Sequence, residues 1–404
     1  MNGKFSCHIN TFDLLVLWYP GNHGQTPMTL TFDLGRGPQS FGHRFLIGLQ
    51  QSPVLSDHDK RLLSLLKPAG VVLFRANFLS DAPYDEWLAS HARLLADVRE
   101  YIGRDEIIVS IDHEGGGVLR PPAPITPFAY AREWPNQAAA VGRAMGIELR
   151  GLGFNVNFAP VLDVNSNPAN PVIGPRSFGT RPEDVVAPAR QFLDALQAEG
   201  VLGCPKHFPG HGDAGVDSHY SLPVIDVDPD TFRKRELATF RQFTDAKTRL
   251  FMTAHIVVPA IDPGTPATMS RIILNDILRQ ELGFKGVIVT DDLGMRAISA
   301  KLKEPETTVR IVNAGADLLC MCAYWADTSL ILDMIGHMTT GLKDGTIKEE
   351  ALKHSFDRIT ALLSDVPNHK VERLSEETFE KHAALAPLRP RTAASANTGG
   401  AAKA

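Results

Sequence analysis

The sequence predicts a single (β/α)8 barrel of the TIM type, an α/β fold. Eight short, nearly continuously apolar runs recur along the chain, each separated from the next by a longer stretch that includes an amphipathic pattern. No G-x-G-x-x-G follows the first run, and polar residues recur at the carboxyl ends of several runs instead of at one point. A doubly wound open sheet shares the alternation. It does not share the absent glycine fingerprint or the scattered polar ends.

The first three predicted strands are residues 45–50, 70–74 and 107–112, followed by 154–160 and 201–207. The remaining three are 250–255, 286–291 and 316–322. Amphipathic helices are expected over 84–101, 136–152, 182–199, 230–247 and 270–282, several opening on Asp, Ser or Pro and closing at Gly. Residues 1–44 are read as a partly disordered N-terminal extension, within which Met28 is an alternative start. Residues 45–365 are the expected catalytic barrel. Residues 366–404 are read as a C-terminal helix and a disordered Ala/Thr/Ser/Gly-rich tail.

Composition narrows the partners. The chain of 404 residues is 44% hydrophobic and 22% charged, and its net charge of −5 gives no general attraction for nucleic acid or an anionic membrane. The four cysteines, Cys7, Cys204, Cys320 and Cys322, contain no CxxC spacing, so a reducing compartment suits them better than a disulfide framework. The apolar run 12–19 includes Asp13 and is too short to span a bilayer. A cytoplasmic monomer without cofactor or metal is expected.

The chemistry gathers at the carboxyl ends of the strands. Strand three ends in Asp112 within DHEGG, strand four runs into NFAPVLDVN, strand five into KHFPGHG, strand six ends at His255, and strand seven at Asp291 and Asp292. Such a ring is hard to explain by packing, because each polar group buried there needs a partner. Lys206, His207, His211, Asp213, Asp217 and His219 follow one another in a glycine-rich loop expected to be mobile. Asp217 and His219 are two apart, so in an extended segment they lie on one side and form a carboxylate–imidazole acid/base pair. A metal site is an alternative reading of this loop, opposed by Lys206 and by Pro209 and Gly210, which break any helix aligning His207 with His211. A solvated turn is another. Ser218 and Ser221 lack the G-x-S-x-G elbow of a serine hydrolase.

Six ordered motifs then resemble a known family. They are GVVLFRANF at 70–78, DHEGG at 112–116, NVNFAPVLDVNSNPANPVIGPRSFG at 155–179, KHFPGHGDAGVDSH at 206–219, MTAHIVVPAID at 252–262 and GVIVTDDLGM at 286–295. Together they resemble bacterial β-N-acetylglucosaminidases of glycoside hydrolase family three, the NagZ type, over about residues 45–363. The resemblance implies that Asp291 is the nucleophile of a retaining double displacement, His219 the acid/base and Asp217 its partner. It implies that Asp112, Arg120, Arg176, Lys206 and His207 contact the sugar, and that the substrate is N-acetylglucosamine joined to anhydro-muramic acid, with or without peptide, in cell-wall recycling. A family-three β-glucosidase, a phosphorylase and a silent sugar-binding protein are the competing expectations. One departure stands out, because the family usually has arginine where this chain has Gly117.

Overall fold

The computed structural model describes residues 32–386, except 35, 36, 38, 135, 219–221 and 323–327. All eight expected strands form, each inside its predicted run: β1 Phe45–Gly48, β2 Gly70–Leu73, β3 Ile108–Ile111, β4 Val156–Asn157, β5 Leu202–Gly203, β6 Leu250–Met252, β7 Val287–Val289 and β8 Leu319–Cys322. They are shorter than predicted because the chain leaves the ladder as it turns into the polar ends. Pro160 and Pro205 contribute to this, having no N–H to give to a neighbouring strand.

Every strand pair is parallel. The result is an α/β fold with a parallel central sheet, six strands in the order β5-β4-β3-β2-β1-β8, beside the pair β6-β7. Between these two sheets, Phe208 bridges Thr253 and Val289 bridges Leu318, both in parallel register.

Alternate side chains of each strand are buried on opposite faces, as period-two geometry requires. One set, including Ile47, Val71, Val109, Phe251, Ile288 and Met321, packs toward the helices. The other set comprises Leu46, Val72, Ile108, Val156, Leu250, Met252, Val287, Val289, Cys320 and Cys322, with Cys204 and Phe158, and forms a second, separate core. Helix Glu349–Asp365 adds Ile359, Leu362 and Leu363 to this second core. Each large apolar side chain so buried contributes roughly 1.5–3 kcal/mol.

The helices Tyr84–Ile102, Ala138–Gly151 and Pro182–Ala198 match their expected spans within two residues. Helix Ala138–Gly151 approaches Pro182–Ala198 so closely that a Cβ on Gly142 would lie 2.4 Å from the Phe192 carbonyl oxygen. The expected helix at 230–247 instead breaks into Pro229–Thr231, a wider π turn Phe232–Glu236 and Leu237–Arg241, and Ile272–Glu281 is also a π helix.

The amino ends of the strands are locked by charge. Asp317, fully buried before β8, is held by Arg279 and by Arg358 at 2.7 Å, while the Arg44 guanidinium donates to the Ala316 carbonyl at 2.6 Å. These pairs tie strands to outer helices at one end and leave the carboxyl end to the site.

Candidate active site

At the carboxyl end of β3 the chain turns through Asp112, His113 and Glu114, and two consecutive glycines make the turn. Gly115 and Gly116 have φ of 84° and 58°, and the Tyr130 ring lies across Gly116 where a Cβ would be only 2.1 Å away. DHEGG is therefore glycine-rich for backbone reasons.

Glu114 is the hub of a buried ion network. Arg176 donates to it through Nε and Nη2, both at 2.8 Å, and Lys206 Nζ lies 2.6 Å from its Oε1 and 2.6 Å from Asp112 Oδ1. Burial alone would raise the Glu114 carboxyl, but the two cations outweigh it and hold it well below the usual range. Burial would likewise lower Lys206, and the two carboxylates reverse that, so the ammonium stays charged. Arg120 completes the group, with Nη2 3.8 Å from Asp112 Oδ2 and its guanidinium over the Phe74 ring at 5.6 Å. Arg176 is thus spent mainly on Glu114 and on the Val172 carbonyl at 3.2 Å.

Residues 206–218 are more buried than a solvated turn would be. His207 and His211 are buried, and both fold onto Asp163, which lies beyond the end of β4. His207 Nδ1 is 2.7 Å from Asp163 Oδ2, and the His211 N–H donates to Oδ1 at 2.6 Å. Burial pushes the His211 ring down to about 4, leaving it neutral near pH 7. Its Nε2 lies 3.4 Å from the Ser218 hydroxyl. Asp217 is half-buried in this same segment, while His219 lies outside the described residues.

After β7, Asp291 faces a cavity of about 640 Å³ whose wall also holds Asp112, Arg120, Phe74, Met252 and Asp292. Burial works to raise the Asp291 carboxyl, but His207, His255, the Asp292 N–H and Lys206 together hold it below the usual range. That N–H donates to Asp291 Oδ1 at 2.8 Å. His255, expected in the polar ring, is instead a support: it is fully buried, 2.8 Å from the Thr268 hydroxyl and 3.1 Å from the Asp292 carbonyl.

Asp292 has a different environment. Its Oδ1 accepts from the Gly294 and Cys322 N–H groups, both at 2.9 Å, whereas its buried Oδ2 has no partner among the described residues. Burial, with Asp291 and Asp112 nearby, pushes this carboxyl up to about 7 against the two N–H bonds. A raised acid binds its proton longer in the folded state, so it costs nothing below the unfolded value near 3.8 and removes stability progressively until about pH 7. Asp292→Asn is expected to flatten the fall in stability across that window. Urea unfolding from pH 4 to pH 8 measures it, and a variant whose pH dependence parallels the parent's would refute the assignment.

A Cβ at Gly117 would lie 2.7 Å from the Tyr130 hydroxyl, so this tyrosine occupies the space that a side chain there would enter. Glu114 is already oriented by Arg176 and Lys206 and needs no further guanidinium from position 117.

Residues 47–362 match the glycosyl hydrolase family 3 N terminal domain. The chain belongs to glycosyl hydrolase family 3. This family 3 hydrolase is similar to the beta-hexosaminidase of Alkalilimnicola ehrlichii, 35% identical over 66% of this chain and 77% of that protein. It is also similar to beta-hexosaminidase A of Pseudoalteromonas piscicida, 33% identical over 85% of this chain, and spans 62% of that relative's length. Among solved structures it resembles a family 3 beta-N-acetylglucosaminidase from Paenibacillus sp., at TM-score 0.77 and 32% identity, covering 88% of this chain and 68% of that one. It also resembles NagZ from Neisseria gonorrhoeae in complex with N-trifluoroacetyl-D-glucosamine, at TM-score 0.66 and 28% identity, covering 87% of this chain and 97% of that one.

Asp112, Arg120, Lys206 and Arg176 fall into one network with Glu114, and Asp112 and Arg120 share the cavity with Asp291. His207 belongs to a second group with Asp163. Asp163 was not singled out from the sequence, although an acid alone between Leu162 and Val164 on a buried segment carries a signal: it must have a buried partner.

Proposed function

We propose that this family 3 hydrolase is an exo-acting, retaining β-N-acetylglucosaminidase, a cytoplasmic monomer that removes terminal N-acetylglucosamine from anhydro-muramyl disaccharides and their peptides in cell-wall recycling. The observation that carries the reading is Asp291: an ionised carboxylate in the wall of a cavity it shares with Asp112 and Arg120. The beta-hexosaminidase names of its relatives and the glucosamine-derived ligand of the Neisseria gonorrhoeae structure support the choice of sugar. The eight parallel strands close into a (β/α)8 barrel in this account. The bridges Phe208–Thr253 and Val289–Leu318, and an inner core fed from every side of the sheet, support closure.

In the first step the Asp291 carboxylate attacks the anomeric carbon, the bond to the leaving oxygen breaks, and that oxygen takes a proton from His219. In the second, His219 takes a proton from water, whose oxygen displaces Asp291 and releases the sugar. Asp217 orients His219. Asp112 and Arg120 receive and give hydrogen bonds to sugar hydroxyls, with Lys206, Arg176 and His207 completing the subsite and fixing its carboxylates.

Hydrolysis of an aryl β-N-acetylglucosaminide and an aryl β-glucoside, each with and without phosphate, tests the reading. We expect the N-acetyl substrate to be preferred at least ~10-fold in kcat/KM, equivalent to about 1.4 kcal/mol, and free sugar to be released in either buffer. Preference for the glucoside, or formation of a sugar phosphate, contradicts it.

A further inference from the structure

We infer that Cys320 and Cys322 form a two-thiolate site for a thiophilic divalent cation in the wall of the substrate cavity, and that the cation inhibits the enzyme there. The residues alternate on β8, so both side chains leave the same face of the strand. That face is turned inward: both cysteines belong to the inner core and both line the cavity beside Asp291 and Asp292. Their Sγ atoms are 3.6 Å apart. Two thiolates on one tetrahedral Zn²⁺, each at about 2.3 Å, stand roughly 3.8 Å apart, so the pair accepts such an ion with almost no rearrangement.

Among the described residues no group of three or more His, Cys, Asp or Glu is arranged to hold a metal ion. The pair supplies two protein ligands, so an ion bound there would draw its other ligands from water and be exchangeable. Its neighbours supply the reason for inhibition. The Cys322 N–H holds the Asp292 carboxylate, the Asp292 N–H holds Asp291, and all of these residues line one cavity, so a cation on the thiols shares that wall with the group proposed to attack the sugar. Its charge would attract the Asp291 carboxylate and weaken it as a nucleophile. A thiol gives up its proton when it coordinates a metal, so binding releases protons.

Binding is measured on the full chain with Cd²⁺, through its ultraviolet thiolate absorption, and with Zn²⁺ by calorimetry. Inhibition by each ion and its reversal by a chelator are measured on the aryl N-acetylglucosaminide, each variant being compared with its own cation-free rate. We expect one ion per chain, thiolate absorption on binding, and affinity reduced at least ~10-fold in both Cys320→Ser and Cys322→Ser, since losing even an outer-shell partner has that effect. The matching alanine variants replace any serine variant that does not fold. Unchanged affinity in both variants, absence of the thiolate band, or a disulfide between the two sulfurs in the purified protein would each overturn the inference. The inhibition measurement rests on the proposed hydrolase activity. The binding measurement does not, so silence toward the aryl substrate with intact cation binding would fault the activity alone.

Discussion

Replacing Asp291 with asparagine is expected to lower turnover of an aryl β-N-acetylglucosaminide on the order of 10⁴-fold, equivalent to about 5.4 kcal/mol of barrier. Asparagine keeps the shape and can still accept the Asp292 N–H that Asp291 accepts at 2.8 Å, so the fold around the site should survive. What disappears is the charge. An amide cannot form the glycosyl ester through which the proposed reaction passes, and the positively polarised surroundings that hold Asp291 ionised have no anion to act on. The loss should appear in kcat and kcat/KM together, with little change in substrate affinity. Steady-state kinetics beside a thermal melt of the same sample separates this outcome from unfolding.

Replacing Lys206 with methionine should destabilise the protein by about 3–5 kcal/mol, because it leaves Asp112 and Glu114 without the ammonium that lies 2.6 Å from each. The effect should depend on pH. Glu114 is depressed in the folded protein, so its contribution is present above its unfolded value near 4.5 and is lost as pH falls through the folded value. Without Lys206 that contribution shrinks, and the gap between variant and parent should be wider at pH 7 than at pH 3. Urea unfolding at the two pH values checks this. A gap that stays constant would show that the lysine acts by packing alone.

These two expectations rest on residues that were visible in the sequence to different degrees. Asp291, Asp112 and Lys206 were legible because each stands at the end of an apolar run, where a charge requires an explanation. The eight strands were legible for the same reason: a run such as 70–74 or 286–291 is apolar on both faces. The pairing of Glu114 with Arg176 was not, since the two residues come from different loops and meet only when β3 and β4 lie side by side. Asp163 was hidden within an apolar motif. The breaking of the helix expected over 230–247 was also invisible, because its amphipathic pattern does not distinguish an α turn from a π turn. The packing of the loop after β5 was not legible, because Gly210 and Gly212 seat the chain against Glu236 and Val164 while His207 and His211 are buried.

The departure at Gly117 acquires a physical meaning in this setting. Tyr130 covers the glycine, and the acid that an arginine might have oriented is held from Arg176 and Lys206 instead.

The most direct measurement of the central claim is to trap the covalent intermediate. A fluorinated N-acetylglucosaminide with a good leaving group, which glycosylates the enzyme faster than it is released, should leave one sugar per chain. Proteolysis and mass spectrometry should find that sugar on the side chain of Asp291, within the sequence VTDDLGM. A stable adduct on any other residue, Asp292 and Asp112 included, would contradict the account.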